Sequence, residues 1–232
     1  MYRNAASLNI VDFMTLQVAF VGLDGILIAS DTKSASDGPI RRITQARKIL
    51  VSGDNAFVCA FAGESRSLAV AQELAYDFPP TFHGDQDLWR YLNKRPVLTE
   101  LAVGDPAPSM EFLIAFQDGQ KVWQLWSISF QKRLVVPRRI ETRDVCGDHT
   151  TSAVFLSDIY YRKDSIDRLK LLAAHVVLGG HEMNSAYIEG LYILIAKHGR
   201  PPVFIEPDEL KTLKESSARV RGEIGKLFFP NN

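Results

Sequence analysis

Thr15 supplies the hydroxyl that first draws attention in this chain. It opens an apolar run directly after Met14, in "MTLQVAFVGLDGILIASDTKSAS". Asp31 closes the next run, with Lys33 just behind it. A hydroxyl, a carboxylate and an ammonium are parts of nucleophilic chemistry. A Thr, an Asp and a Lys spread from position 15 to position 48 nevertheless specify no reaction by themselves. Other chemistries have less support. His149 and His181 lack ligand spacing to any partner, so no metal site is expected. Gly179-Gly180 reads as a helix end or bend, because no lysine or hydroxyl follows at phosphate-loop spacing. No cofactor is expected.

The bulk numbers narrow the classes further. The 232 residues can bury a substantial core, and 27 basic residues balance 27 acidic ones. Neither nucleic acid nor a membrane surface is favoured as a partner. Arg138-Arg139 reads as a solvated strand end. The two cysteines, Cys59 and Cys146, sit far apart in apolar runs and form no disulfide framework. They read as reduced core residues, and a cytoplasmic location is expected. No apolar stretch approaches the roughly 20 residues of a membrane helix, and residues 1–14 lack the apolar centre of a signal peptide.

The elements that must position Thr15 and Asp31 follow from the pattern. Residues 15–22 and 25–31 predict a hairpin turned at Asp24-Gly25. Strands over 47–52 and 56–63 follow, and the apolar run from Phe57 to Ala62 predicts a strand covered on both faces. Helices are expected over 64–78, stopped by Pro79-Pro80, and over 85–94. Residues 110–117 and 121–130 form another hairpin. Val122, Gln124, Trp126, Ile128 and Phe130 point one way, Trp123 and Leu125 the other. Trp89, Trp123 and Trp126 read as core or subunit interface. Shorter strands fall near 132–137 and 140–146. Helices follow over 149–161 and 165–182, the second with Ser165 as N-cap. Strands over 186–197 and 201–205 precede a last helix over 208–222, behind Pro207. Sheets covered on both faces need helices outside them. The expected fold is therefore α+β, a four-layer αββα sandwich of two mainly antiparallel sheets. One domain over 15–232 is expected behind a leader of residues 1–14.

This order, with "GILIASDTK", "ARKIL" and "FAG", resembles the proteasome β-subunit family of N-terminal nucleophile hydrolases, closest to its simpler bacterial members. The resemblance covers about residues 15 to 222. It implies the Ntn-hydrolase form of the sandwich. It places the nucleophile on Thr15, the acidic residue on Asp31, the active-site lysine on Lys48 and the oxyanion-binding N–H on Gly63. Lys48 follows one inserted residue; Arg47 takes its place if the insertion falls elsewhere. The family's glycine-serine pair appears as Gly147-Asp148, and its Asp-x-x-Ser as Glu182 to Ser185. These two are departures. Bland roles stand beside the chemical ones. Asp31 could cap a turn, Lys48 could lie on the surface, and Gly63 could serve close packing. Asp148 could cap a helix, Glu182 could be a solvated helix end, and Ser185 could bond backbone at a strand start.

The resemblance implies a mechanism. Thr15 becomes the first residue, its hydroxyl attacks a peptide carbonyl, and its freed α-amine takes the proton directly or through water. Such an amine titrates near about 8, close to where a general base works best. Self-cleavage would expose Thr15. So would aminopeptidase removal of Met14, if translation starts there. Substrate would meet the backbone of Ala35, with Ser34, Leu50 and Phe61 near the first specificity pocket. The expected function is a threonine-type peptidase in homo-oligomeric rings, acting on polypeptides and fed by an ATPase unfoldase. The alternative is a non-catalytic, proteasome-like ring subunit. A third reading is an amidase acting on small amides.

Overall fold

A computed structural model describes residues 15–36, 42–63, 66–78, 82, 85–103, 110–131, 134–147, 152–186 and 188–228. Its strands are β1 (Leu16–Val21), β2 (Gly25–Ser30), β3 (Lys33–Ser36), β4 (Arg42–Gln45), β5 (Ile49–Val51) and β6 (Phe57–Gly63) in the first third. Helices α1 (Arg66–Tyr76), α2 (Asp85–Asn93) and α3 (Pro96–Val103) follow. Next come β7 (Met110–Gln117), β8 (Trp123–Gln131), β9 (Leu134–Ile140) and β10 (Arg143–Gly147). The chain continues with α4 (Ser152–Tyr160), α5 (Ile166–Met183), β11 (Tyr192–Lys197), β12 (Val203–Phe204) and α6 (Pro207–Phe228).

Two five-stranded antiparallel sheets result. One is ordered β10-β1-β2-β11-β12 and the other β5-β6-β7-β8-β9, with β3-β4 as a separate pair. Strand alternation sorts the apolar side chains into three layers. In β1, Leu16, Val18 and Phe20 pack with Leu169, Ala173 and Val176 of α5. Ala19 faces the opposite way and meets Val58, Ala60 and Ala62 of β6 between the sheets. In β6, Phe57, Cys59 and Phe61 turn outward onto Val70 and Leu74 of α1. Each sheet is thus covered on both faces, and the α+β sandwich expected from the pattern is present.

Three elements differ from expectation. The β3-β4 pair was not foreseen, because "KSAS" and "RITQ" lack an apolar alternation. Helix α3 was missed as well; Pro96 opens it at the position where proline's missing N–H costs nothing. The strand expected over 186–197 begins only at Tyr192. Ahead of it the chain wraps the end of β2. Thr32 donates its amide and its hydroxyl to the Glu189 carbonyl, at 2.7 and 3.0 Å.

Ser165 takes the N-cap position of α5 without a side-chain capping bond. Asp24, from the β1-β2 turn, accepts the Ile166 N–H at 2.7 Å instead. No helix among the described residues is long and apolar enough to cross a membrane.

Candidate active site

The start of β1, the end of β2 and the entry to β5 converge at one end of the sandwich. Thr15 is buried, and the Nζ of Lys48 lies 2.9 Å from its Oγ1. The same ammonium donates to both oxygens of Asp31, at 3.1 and 2.9 Å. Asp31 is fully buried and further held by the Leu16 N–H at 3.0 Å and the Lys33 N–H at 3.1 Å. One carboxylate therefore fixes both the lysine and the residue following Thr15.

Arg47 goes elsewhere. It is exposed and lies over the rings of Tyr192 and Phe204, 5.5 and 5.0 Å from their centres.

Burial dominates the electrostatics. It pushes the Lys48 ammonium below its ordinary value, against the opposing pull of Asp31. It pushes the Asp31 carboxyl up, against Lys48 and the two backbone N–H groups. The geometry leaves the Lys48 Nζ donating a hydrogen bond to the Thr15 oxygen.

Two further residues shape the site without any sequence signal to mark them. Gln17 is fully buried on the inter-sheet side of β1, and its Nε2 donates to the carbonyls of Phe61 at 2.9 Å and Lys48 at 3.2 Å. It ties the strand that Thr15 precedes to the segment of Lys48 across the sandwich. Glu111 on β7 accepts the Gly147 N–H at 2.7 Å. All three bonds join residues distant in sequence, so only the pairing of the two sheets could reveal them.

The remaining expected residues are placed as follows. Gly63 ends β6 at φ 106°, opposite Met110. Gly147 ends β10 at φ 92°, and a Cβ built on it would meet the Ala62 side chain at 3.3 Å. Asp148 lies outside the described residues. Glu182 lies in the last turn of α5, exposed and ion-paired with Arg221 of α6. Ser185 is exposed, and its carbonyl accepts the Lys33 ammonium at 2.9 Å. Ser34 and Ala35 pair with Thr44 and Ile43 in the β3-β4 hairpin. Phe61 and Leu50 pack into the outer core beneath α1. A cleft of about 350 Å³ lies apart from these residues, lined by Phe82, Phe116, Asp118, Trp126 and Arg139 among others. No group of three His, Cys, Asp or Glu side chains among the described residues could hold a metal ion.

An α+β sandwich with a buried Thr-Lys-Asp cluster at one end is the class that fold and geometry define. Comparison with known proteins adds to it. No family model matches the chain, and no curated protein sequence matches it. Solved structures do match. Anbu from Hyphomicrobium sp. strain MC1 is 17% identical with a TM-score of 0.65, the match covering 91% of this chain and 97% of that one. Anbu from Yersinia bercovieri, described as an ancestral beta-subunit, is 13% identical with a TM-score of 0.65, over 94% and 97%. At these identities the likeness shows the fold alone.

It also corrects the resemblance drawn from the sequence. Assignment to the proteasome β-subunit family of N-terminal nucleophile peptidases is overturned. No family model supports it, and the structural neighbours are Anbu proteins, a different family. "FAG" is the end of β6 and "SDTK" the passage from β2 to β3; runs this short do not separate one family from the next.

Proposed function

We propose that the chain is an Anbu-like, proteasome-related ring subunit, and that Thr15 is the nucleophile of an amide-bond hydrolase once residues 1–14 are removed. The carrying observation is the ammonium of Lys48, held by both oxygens of Asp31 and 2.9 Å from Thr15 Oγ1. The ring reading draws on the likeness to Anbu structures over 91–94% of this chain.

In this reading Lys48 favours the alkoxide as Thr15 Oγ1 attacks a peptide carbonyl. The freed α-amine of Thr15 takes the hydroxyl proton and later gives it to the leaving amine. The N–H of Gly63 meets the oxyanion; a donor of that kind lowers the barrier by about 3 kcal/mol. Water then hydrolyses the acyl ester and restores the hydroxyl. Asp31 keeps Lys48 aimed at the oxygen. Polypeptides are the substrate class.

A non-catalytic ring subunit is the second reading. It is favoured by Glu182, whose carboxylate is tied to Arg221.

Fluorogenic-peptide hydrolysis by the wild type and Thr15→Ala, each sized by native mass spectrometry, tests both readings. The proposal expects rings from both proteins and hydrolysis only from the wild type. Rings without hydrolysis, in protein whose first residue is Thr15, favour the second reading. Hydrolysis that survives in Thr15→Ala removes Thr15 from the mechanism, and a monomer in solution overturns the ring.

A further inference from the structure

Glu111 stands out in the layer between the sheets. Its neighbours on the same face of β7, Leu113 and Ala115, belong to the apolar inter-sheet core. A carboxylate in that row costs free energy unless it is hydrogen-bonded. Glu111 is so bonded: Oε2 accepts the Gly147 N–H at 2.7 Å, and the Cys146 thiol also donates to the carboxyl group. Both donors lie at the end of β10, in the opposite sheet.

That end of β10 abuts the nucleophile. Gly147 pairs with Leu16, and its α-carbon packs so closely on Thr15 that no side chain fits between them. Within its own sheet, Glu111 pairs with Ala62 of β6, the residue before Gly63. One side chain therefore spans the two shoulders of the site: the backbone that carries Thr15 and the strand end that carries Gly63.

We infer that Glu111 is a positioning residue, whose bond to the Gly147 N–H sets the distance between the Thr15 hydroxyl and the Gly63 N–H. The inference rests on the hydrolase reading of Thr15. It assigns Glu111 no contact with substrate and no proton transfer. What matters is an acceptor of the right length: the amide oxygen of glutamine can take over the bond, and a methyl group cannot. A misplacement of about 1 Å between reacting groups costs on the order of 100-fold in rate.

The test compares wild type, Glu111→Gln and Glu111→Ala, each with Thr15 as first residue. Steady-state kinetics are read beside backbone hydrogen exchange at residues 16–17 and 143–147. Glu111→Ala is expected to lower kcat by about 10- to 100-fold with KM within about twofold, and to speed exchange in both segments about tenfold or more. Glu111→Gln is expected to restore both readouts to near wild type. Wild-type kcat in Glu111→Ala overturns the inference. So does a rate loss that Glu111→Gln fails to rescue, which would assign the effect to charge. If the wild type itself does not turn over, the hydrolase reading fails separately. The exchange arm then decides alone: unchanged exchange at Gly147 and Leu16 in Glu111→Ala overturns the positioning role, and faster exchange at both supports it.

Discussion

A Cβ built on Gly147 would sit 1.9 Å from the carbonyl oxygen of Thr15. No rearrangement of a flexible side chain can relieve that contact, because the Thr15 atom is backbone. Gly147 also holds φ at 92°, a region L side chains rarely adopt. Gly147→Ala is therefore expected to destabilise the protein by about 3 kcal/mol and to displace Thr15. Urea denaturation checks the first effect and peptide hydrolysis the second. A variant of wild-type stability would show that the approach of β10 to Thr15 is looser than described.

Lys48→Ala removes one half of a buried ion pair and leaves Asp31 without its cation. The expected loss is about 3–5 kcal/mol near pH 7. Its pH dependence has a definite sign. Asp31 already titrates above its ordinary value through burial, and without Lys48 it rises further. Above the unfolded value of 3.8, the folded variant then binds more protons than the unfolded chain. Its stability rises as pH falls toward that value. Arg47→Ala loses only an exposed stacking contact, worth about 0.5–1 kcal/mol. Equal losses in the two variants would remove Lys48 from the buried pair.

Cys59 and Cys146 are buried, and burial pushes both thiols up. For Cys146 the Glu111 carboxylate adds to the effect. A raised thiol holds less thiolate at any given pH, and thiolate is the reactive form. Neither residue is expected to react with iodoacetamide at pH 8 in the folded protein, while both react in denaturant. Mass spectrometry distinguishes the outcomes, and rapid labelling of Cys146 in the native state would contradict its place between the sheets.

Asp167 in the first turn of α5 accepts hydrogen bonds from Lys197 and Lys170, and these lower its carboxyl to about 2. A depressed carboxyl contributes stability above the unfolded value of 3.8, and loses it as pH falls through about 2. The side chain is 55% exposed, so screening limits the contribution to under about 1 kcal/mol. Asp167→Asn is expected to lower stability slightly at pH 7 and to lose most of that deficit by pH 2. Thermal melts across that range check it. A deficit undiminished at pH 2 would assign the effect to packing instead of charge.

The layers were legible because alternation is a local signal. "FVCAFAG" is apolar at nearly every position, and β6 proves covered on both sides, Phe57 and Cys59 outward, Val58 and Ala60 inward. Trp123 and Leu125 part from Trp126 and Ile128 as the alternation of β8 requires. Thr15, Asp31 and Lys48 meet only through the pairing of β1 with β2 and the packing of β5 beside them, which spacing alone does not specify. The motif resemblance brought those three positions together while naming the wrong family. Gln17 and Glu111 carried no signal, since a single polar residue inside an apolar strand looks the same whether it bridges two sheets or faces water. The loop before β11 was misread as strand because "AYIEGLYILIAK" continues the β-prone composition past a sharp turn at Gly190, where φ is 77°.

The central claim is that the Thr15 hydroxyl, activated beside Lys48, attacks an electrophilic carbon. Its most direct measurement is intact-mass analysis with peptide mapping, on protein whose first residue is Thr15, after exposure to a peptide epoxyketone. A single adduct localised to Thr15, absent in Thr15→Ala and strongly slowed in Lys48→Ala, is the predicted result. A folded, assembled protein whose Thr15 stays unmodified, or is modified as fast without Lys48, would contradict it.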